Sequence, residues 1–235
     1  MVRNGKEVRE TEDSVNLTVK KLLRFSQVER IYASRLQQDF APDEVRPLRL
    51  IRKSWDRGEY PCYGLYDGRR LLAYAFLACM GRRCVLDYFA VSEEHRGEGL
   101  GSAFLKEVTA RIPDAECVLV EVEDPDGAQD EEARSLRLRR IAFYRRSGFY
   151  DTGIRSCSFG VDFCILNADS ENRLPQAELR DFYCAMYRSI LPRRIFEANF
   201  RIKDPCRQEN RAPVSKRPQL PGQGLKLSLG AHNRD

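Results

Sequence analysis

Three glycines at alternate positions, Gly97, Gly99 and Gly101, lie in the stretch 95-HRGEGLGSAFLKEV-108. Before them runs 83-RCVLDYFAVS-92, whose aromatic and β-branched residues suit a central strand. After them Ala103, Phe104, Leu105, Val108 and Ile112 recur at helical spacing and stop before Pro113. Strand, glycine turn and helix therefore follow one another without a break. The N–H groups at a helix start are unpaired and carry partial positive charge. Glycine lets such backbone approach a phosphate with no Cβ in the way. The stretch is a candidate phosphate-gripping turn.

Three such devices compete. A P-loop needs Gly-Lys-Ser/Thr after four spacers, and the chain has no such run. A dinucleotide fingerprint needs glycine at position 102, where Ser102 stands, and belongs near the first strand of a doubly wound domain. The third device is Arg/Gln-x-x-Gly-x-Gly/Ala, which Arg96, Gly99 and Gly101 match.

The rest of the chain surrounds this unit with strands and helices. Residues 16–23 read as a first strand, 27–40 as a helix, and 42–56 as a second helix with Pro47 near its start or in a kink. Residues 61–80 read as two strands joined at Asp67-Gly68. A strand at 117–124, a charged helix at 130–146 capped by Gly148, strands at 149–156 and 161–166, and a last helix at 175–190 complete the order. The expected fold class is α/β: a mixed, mostly antiparallel central sheet flanked by helices, with a β-α-β unit at its centre.

The block 86-LDYFAVSEEHRGEGLGSAFLKEV-108 resembles the acyl-CoA-binding motif of the GNAT superfamily of N-acyltransferases. The resemblance continues in 136-LRLRRIAFYRRSGFYDTG-153, where a helix bearing Tyr144 is followed by Gly148-Phe149. It extends over roughly residues 14–190. It implies acetyl-CoA as co-substrate, with the amides of Arg96, Gly97, Glu98, Gly99, Leu100, Gly101 and Ser102 around the pyrophosphate. It implies that Phe89, Ala90 and Val91 hydrogen-bond the pantetheine arm like an added strand, with Phe143 also beside the cofactor. Many relatives carry asparagine seven residues before the tyrosine. Here that position is Arg137, one of the arginines of the 134–146 helix that either contact CoA phosphates or pair with Glu131 and Glu132.

Acyl transfer to an amine requires that the amine lose a proton, the thioester oxygen be stabilised and the leaving thiolate be protonated. By resemblance, a backbone N–H near Val91 polarises the carbonyl and Tyr144 is the general acid; a packed aromatic is the other reading of Tyr144. The base is open between Asp87, Glu121 and a water-mediated route. Strand alternation puts Asp87 on one face with Phe89 and Val91, and Glu121 with Glu123. Carboxylates in the apolar run 117-CVLVEVED-124 are costly to bury unpaired, so they should meet a cation: a substrate amine or an arginine of the next helix. The acceptor class is a primary amine, either a small cationic molecule or a peptide amine, attacking directly in a ternary complex. The alternative is a non-catalytic acyl-CoA-binding or partner-binding module on the same fold.

Charge bears on partners. The chain carries 40 Lys/Arg and 35 Asp/Glu, but eight of the former and only three of the latter fall in residues 201–235. Removing them leaves 32 of each, a formally neutral body, so nucleic acid is not the expected partner. Residues 1–13 read as an N-terminal extension, 14–203 as the acyltransferase domain, and 204–235 as a basic, Pro-rich flexible tail. The longest strongly apolar run, 71-LLAYAFLACM-80, is too short to span a bilayer, and a cytoplasmic monomer or homodimer is the expectation. The eight cysteines include no Cys-x-x-Cys pair and read as buried free thiols; with only two histidines, no metal is expected.

Overall fold

A computed structural model describes residues 17–42, 44–112, 114–168 and 173–203. The proposed extension and tail, and Cys206, lie outside them. The elements are β1 (Leu17–Lys21), α1 (Phe25–Ile31) running through a π-helical turn (Tyr32–Leu36) into α2 (Gln37–Asp39), and α3 (Leu48–Asp56). They continue with β2 (Cys62–Asp67), β3 (Arg70–Met80), β4 (Arg83–Val91), α4 (Leu100–Ala110), β5 (Cys117–Glu123) and α5 (Glu131–Arg146). The last are β6 (Phe149–Ser158), β7 (Val161–Ala168), α6 (Gln176–Ile190), α7 (Arg193–Asn199) and β8 (Phe200–Lys203). No helix among the described residues is long and apolar enough to cross a membrane.

Local chemistry accounts for the boundaries. Pro47 precedes α3, where its missing N–H costs nothing. Asp130 caps α5 by accepting from the Ala133 N–H at 2.7 Å. Gly148 ends α5 at φ +90°, a conformation open to glycine. Two elements have no counterpart in the sequence reading: α7 and β8. Each is at most seven residues long, too short for periodicity to reveal.

The eight strands form one sheet in the order β1-β2-β3-β4-β5-β7-β6-β8. Every neighbour pair is antiparallel except β4–β5. That parallel pair is joined only from Arg83–Val85 to Cys117–Leu119, and beyond those residues the two strands are not paired. A cleft therefore opens in the middle of the sheet, between the C-terminal halves of β4 and β5. One apolar cluster fills the face under α1, α3 and α6; a second, with Phe89, Phe104, Phe143 and Tyr144, fills the face under α4 and α5.

Two expectations change. Cys79 and Cys84 stand directly opposite in the β3–β4 ladder and are joined in a disulfide, so the free-thiol reading fails for both. Their approach follows from hairpin register, which cysteine spacing does not encode. Cys62, Cys117, Cys157, Cys164 and Cys184 are free. The second change concerns Asp87. The ladder pairs Tyr88 with Phe76 but Leu86 with Leu77, so Asp87 is the extra residue of a β-bulge. The bulge breaks the alternation: Phe89 and Val91 pack under α4 and α5, whereas Asp87 bonds Tyr60 and Arg46 on the other face.

Candidate active site

The glycine turn leaves the C-terminal end of β4. Gly97 and Gly99 adopt φ +81° and +79°, left-handed values that L side chains disfavour. They swing the chain from the strand into α4. The first bond of that helix from the turn is Ala103 N–H to the Gly99 carbonyl at 3.2 Å, so the amides of Leu100, Gly101 and Ser102 lie ahead of the helical ladder. Gly101 has a different task. A Cβ there would lie 3.1 Å from Val91 Cγ2 and 3.2 Å from Phe143 Cε2, so glycine lets α4 seat close to β4 and α5 without either side chain giving way. Ser147 Oγ donates to Ser102 Oγ at 3.0 Å or accepts from it, tying the end of α5 to the start of α4. Ser92 Oγ and His95 Nε2 are buried beside the turn without a hydrogen-bond partner. Exposed amides at a helix start, two left-handed glycines and two orphaned polar atoms fit a polyanionic ligand with polar arms.

Phe89, Ala90 and Val91 run along the cleft. Their backbone pairs with β3 on one edge and, among the described residues, with no strand on the β5 edge. The Phe89 ring stacks on Phe104 at 6.0 Å and lies 5.7 Å from Phe143. Arg96 Nε donates to the Val91 carbonyl at 3.4 Å and braces the turn. Arg137 is engaged elsewhere: its guanidinium donates to the Asp124 carbonyl at 2.8 Å and pairs with Glu123 at 3.4 Å. Glu123 also meets Arg140 at 3.1 Å, so it finds its cations on the following helix.

Tyr144 is fully buried on the α4/α5 face, edge-on to Phe143 at 5.1 Å and to Phe149 at 5.6 Å. Asp87 and Glu121 are fully buried on the opposite face. Asp87 Oδ2 accepts from Arg46 Nη1 at 2.8 Å and from the Tyr60 hydroxyl; Oδ1 has no partner. Arg46 is held in turn. Its N–H donates to the Tyr88 hydroxyl at 2.7 Å, and its carbonyl accepts from the Tyr32 hydroxyl at 3.1 Å. Burial draws the Arg46 guanidinium down, but Asp87, with Tyr60 and Tyr88, more than offsets this and keeps it firmly charged.

Glu121 has no cation among the described residues. Its Oε1 accepts from the hydroxyls of Tyr183 and of Tyr187, the latter at 2.7 Å, and its Oε2 is buried without a partner. Burial pushes its pKa up to about 8, the two tyrosine bonds pull it back, and the charge of Asp87 adds to the rise. The two carboxylates thus differ in kind. One is neutralised by a buried arginine; the other titrates near neutrality.

Arg46, Tyr60, Tyr88, Tyr183 and Tyr187 were not singled out from sequence as site residues. A signal existed for the last pair. Two tyrosines four residues apart on the buried stripe of a helix need acceptors for their hydroxyls. Nothing local marks Arg46.

Residues 58–151 match the acetyltransferase (GNAT) domain family. The matched span contains the turn, the cleft strands, both carboxylates and Tyr144. A putative GNAT-family acetyltransferase from Bacteroides thetaiotaomicron has the same fold: TM-score 0.55 at 19% identity, over 72% of this chain and 96% of that one. The ribosomal-protein-S18-alanine N-acetyltransferase of Escherichia coli aligns with TM-score 0.45 at 18% identity, over 67% and 99%. The PaiA N-acetyltransferase of Thermoplasma acidophilum, solved with coenzyme A, aligns with TM-score 0.45 at 14% identity, over 66% and 99%. No curated protein matches the chain. Beyond the matched span, β8 extends the sheet past β6.

Proposed function

We propose that the protein is an N-acetyltransferase that moves an acetyl group from acetyl-CoA to a primary amine by direct attack in a ternary complex. One observation carries the reading. Beyond the paired part of β4 and β5, Glu121 of β5 is a buried carboxyl with no cation among the described residues, and Tyr144 is buried on the opposite face of the sheet. A thioester lying in the cleft would have an acid on its sulfur side and a base on its acceptor side.

The residues divide the work. The amides from Arg96 to Ser102 bind the pyrophosphate at the start of α4, and Phe89 to Val91 hold the pantetheine along the unpaired edge of β4. A backbone N–H near Val91 polarises the thioester carbonyl. Glu121 is the base in preference to Asp87: each carboxyl has one oxygen without a partner, but Asp87 is ion-paired to Arg46 whereas Glu121 meets only tyrosine hydroxyls. Glu121 Oε2 first takes a proton from the ammonium, and the freed amine lone pair then bonds the acyl carbon. The C–S bond then breaks and Tyr144 gives its phenolic proton to the leaving sulfur; the second nitrogen proton leaves as the tetrahedral adduct collapses and restores the phenol of Tyr144. The acceptor presents a cationic amine, drawn by the unpaired carboxyl; small amines and peptide amines both satisfy this.

Two measurements test the reading. Acetyl-CoA should raise the melting temperature, as any ligand selective for the folded state does. Thiol release should then follow when a panel of polyamines, aminoglycosides and peptides is added. Stabilisation without turnover on any amine would identify a non-catalytic acyl-CoA-binding module; no stabilisation at millimolar acetyl-CoA would defeat the reading altogether.

A further inference from the structure

Helix α6 lies after the span that matches the GNAT family, yet it supplies the two groups that bond Glu121. Tyr183 and Tyr187 are one helical turn apart, so both rings leave the same face of α6. Both are fully buried, edge-on to each other at 5.3 Å. Phe200 of β8 packs against both, at 5.4 Å and 4.2 Å. A phenol has one proton to donate, and burial beside a carboxylate holds both phenols well above their ordinary range. They are therefore fixed donors at any working pH. Ser156 Oγ lies 2.9 Å from the Tyr183 oxygen. With the Tyr183 proton committed to Glu121, the serine must be the donor in that pair.

Both tyrosine bonds converge on the same carboxylate oxygen. Two donors on Oε1 fix the plane and rotamer of the side chain and leave Oε2 as the oxygen with spare lone pairs. We infer that Tyr183 and Tyr187 are positioning residues: they fasten Oε1 of Glu121 so that Oε2 is the atom presented to the acceptor amine. The inference rests on the reading of Glu121 as the base. The other groups facing Glu121 are few. Asp87 approaches from β4, carrying Arg46 and Tyr60 with it, and its charge opposes ionisation of Glu121. Ser156 stands behind Tyr183 on β6, and Ser158 of the same strand is set against Tyr187. On β7, the residue opposite Glu121 is the apolar Ile165.

A donor on the ionised carboxylate favours ionisation. Each tyrosine therefore holds the titration point of Glu121 below the value that burial alone would set, and each keeps a larger fraction of base available at neutral pH. The experiment uses the full chain labelled with carboxyl-13C glutamate and titrated by NMR. The Glu121 resonance is assigned by its loss in Glu121→Gln. Tyr183→Phe and Tyr187→Phe keep the rings and remove only the hydroxyls; each should raise the Glu121 midpoint by about one unit. The acid limb of kcat/KM, measured with acetyl-CoA and whichever amine the panel identifies, should move by the same amount. Phe200→Leu loosens the same packing with every hydroxyl retained and should leave the midpoint in place.

A midpoint that stays put in both Tyr→Phe variants, or moves as far in Phe200→Leu, overturns the inference. A midpoint that moves while the acid limb does not supports the tyrosines as holders of Glu121 and refutes Glu121 as the base. The NMR titration needs no turnover, so the two failures are separable.

Discussion

Replacing Glu121 by glutamine should change how the stability of the protein depends on pH. The folded-state pKa of Glu121 is about 8, against an ordinary value of 4.5, with burial the largest cause. Between those values the folded protein holds a proton on this group that the unfolded chain has released. Stability therefore falls as pH rises from about 4.5 to about 8, and below and above that window the group is neutral to the slope. The gap is about 3.5 units, and each unit is worth about 1.4 kcal/mol, so the full effect is on the order of 5 kcal/mol. For a domain of this size that corresponds to roughly 10–20 °C of melting temperature. Glutamine keeps an oxygen for the tyrosine hydroxyls but cannot ionise. The assay is a urea or thermal melt of both chains at half-unit steps from pH 4 to pH 9, read as the difference between them. The wild type should lose stability relative to Glu121→Gln across the window. Two curves that run parallel would show that the carboxyl is not held in a desolvated site, and the same result would remove the basis for a base titrating near pH 8.

Tyr144→Phe should lower kcat about 100-fold or more while acetyl-CoA affinity, measured by calorimetry, stays nearly constant, because the ring packing survives and only the proton donor is lost. Gly101→Ala places a methyl 3.1 Å from Val91 and 3.2 Å from Phe143. It should cost about 1–3 kcal/mol in a denaturant melt and weaken acetyl-CoA binding by displacing the start of α4. Arg46→Met leaves Asp87 buried without its cation and should destabilise by about 3–5 kcal/mol; adding Asp87→Asn should restore a large part, which a double-mutant cycle of urea midpoints would measure.

How far the chain explains itself varies along its length. From Arg83 to Ala110 the elements could be read directly, because strand, turn and helix each depend on neighbours in sequence: β-branched and aromatic residues, left-handed glycines, and apolar residues at helical spacing. The same is true of α5, with its aspartate cap and terminal glycine. These two stretches also carry the family resemblance. Strand register was not legible. The bulge at Asp87 and the meeting of Cys79 with Cys84 depend on how β3 pairs with β4, and pairing is a relation between segments.

The distinction between the two carboxylates belonged entirely to the tertiary structure. In sequence, Asp87 and Glu121 are alike: acidic residues inside apolar strands. Their difference comes from groups far along the chain, Arg46 and Tyr60 for the one, Tyr183 and Tyr187 for the other. A buried charge takes its pKa from whatever surrounds it in three dimensions, and no local pattern records those neighbours. The sequence by itself determined the strand, glycine turn and helix from Arg83 to Ala110, since helix ends and glycines are local. Folding alone decided which carboxyl meets an arginine and which meets only tyrosine hydroxyls.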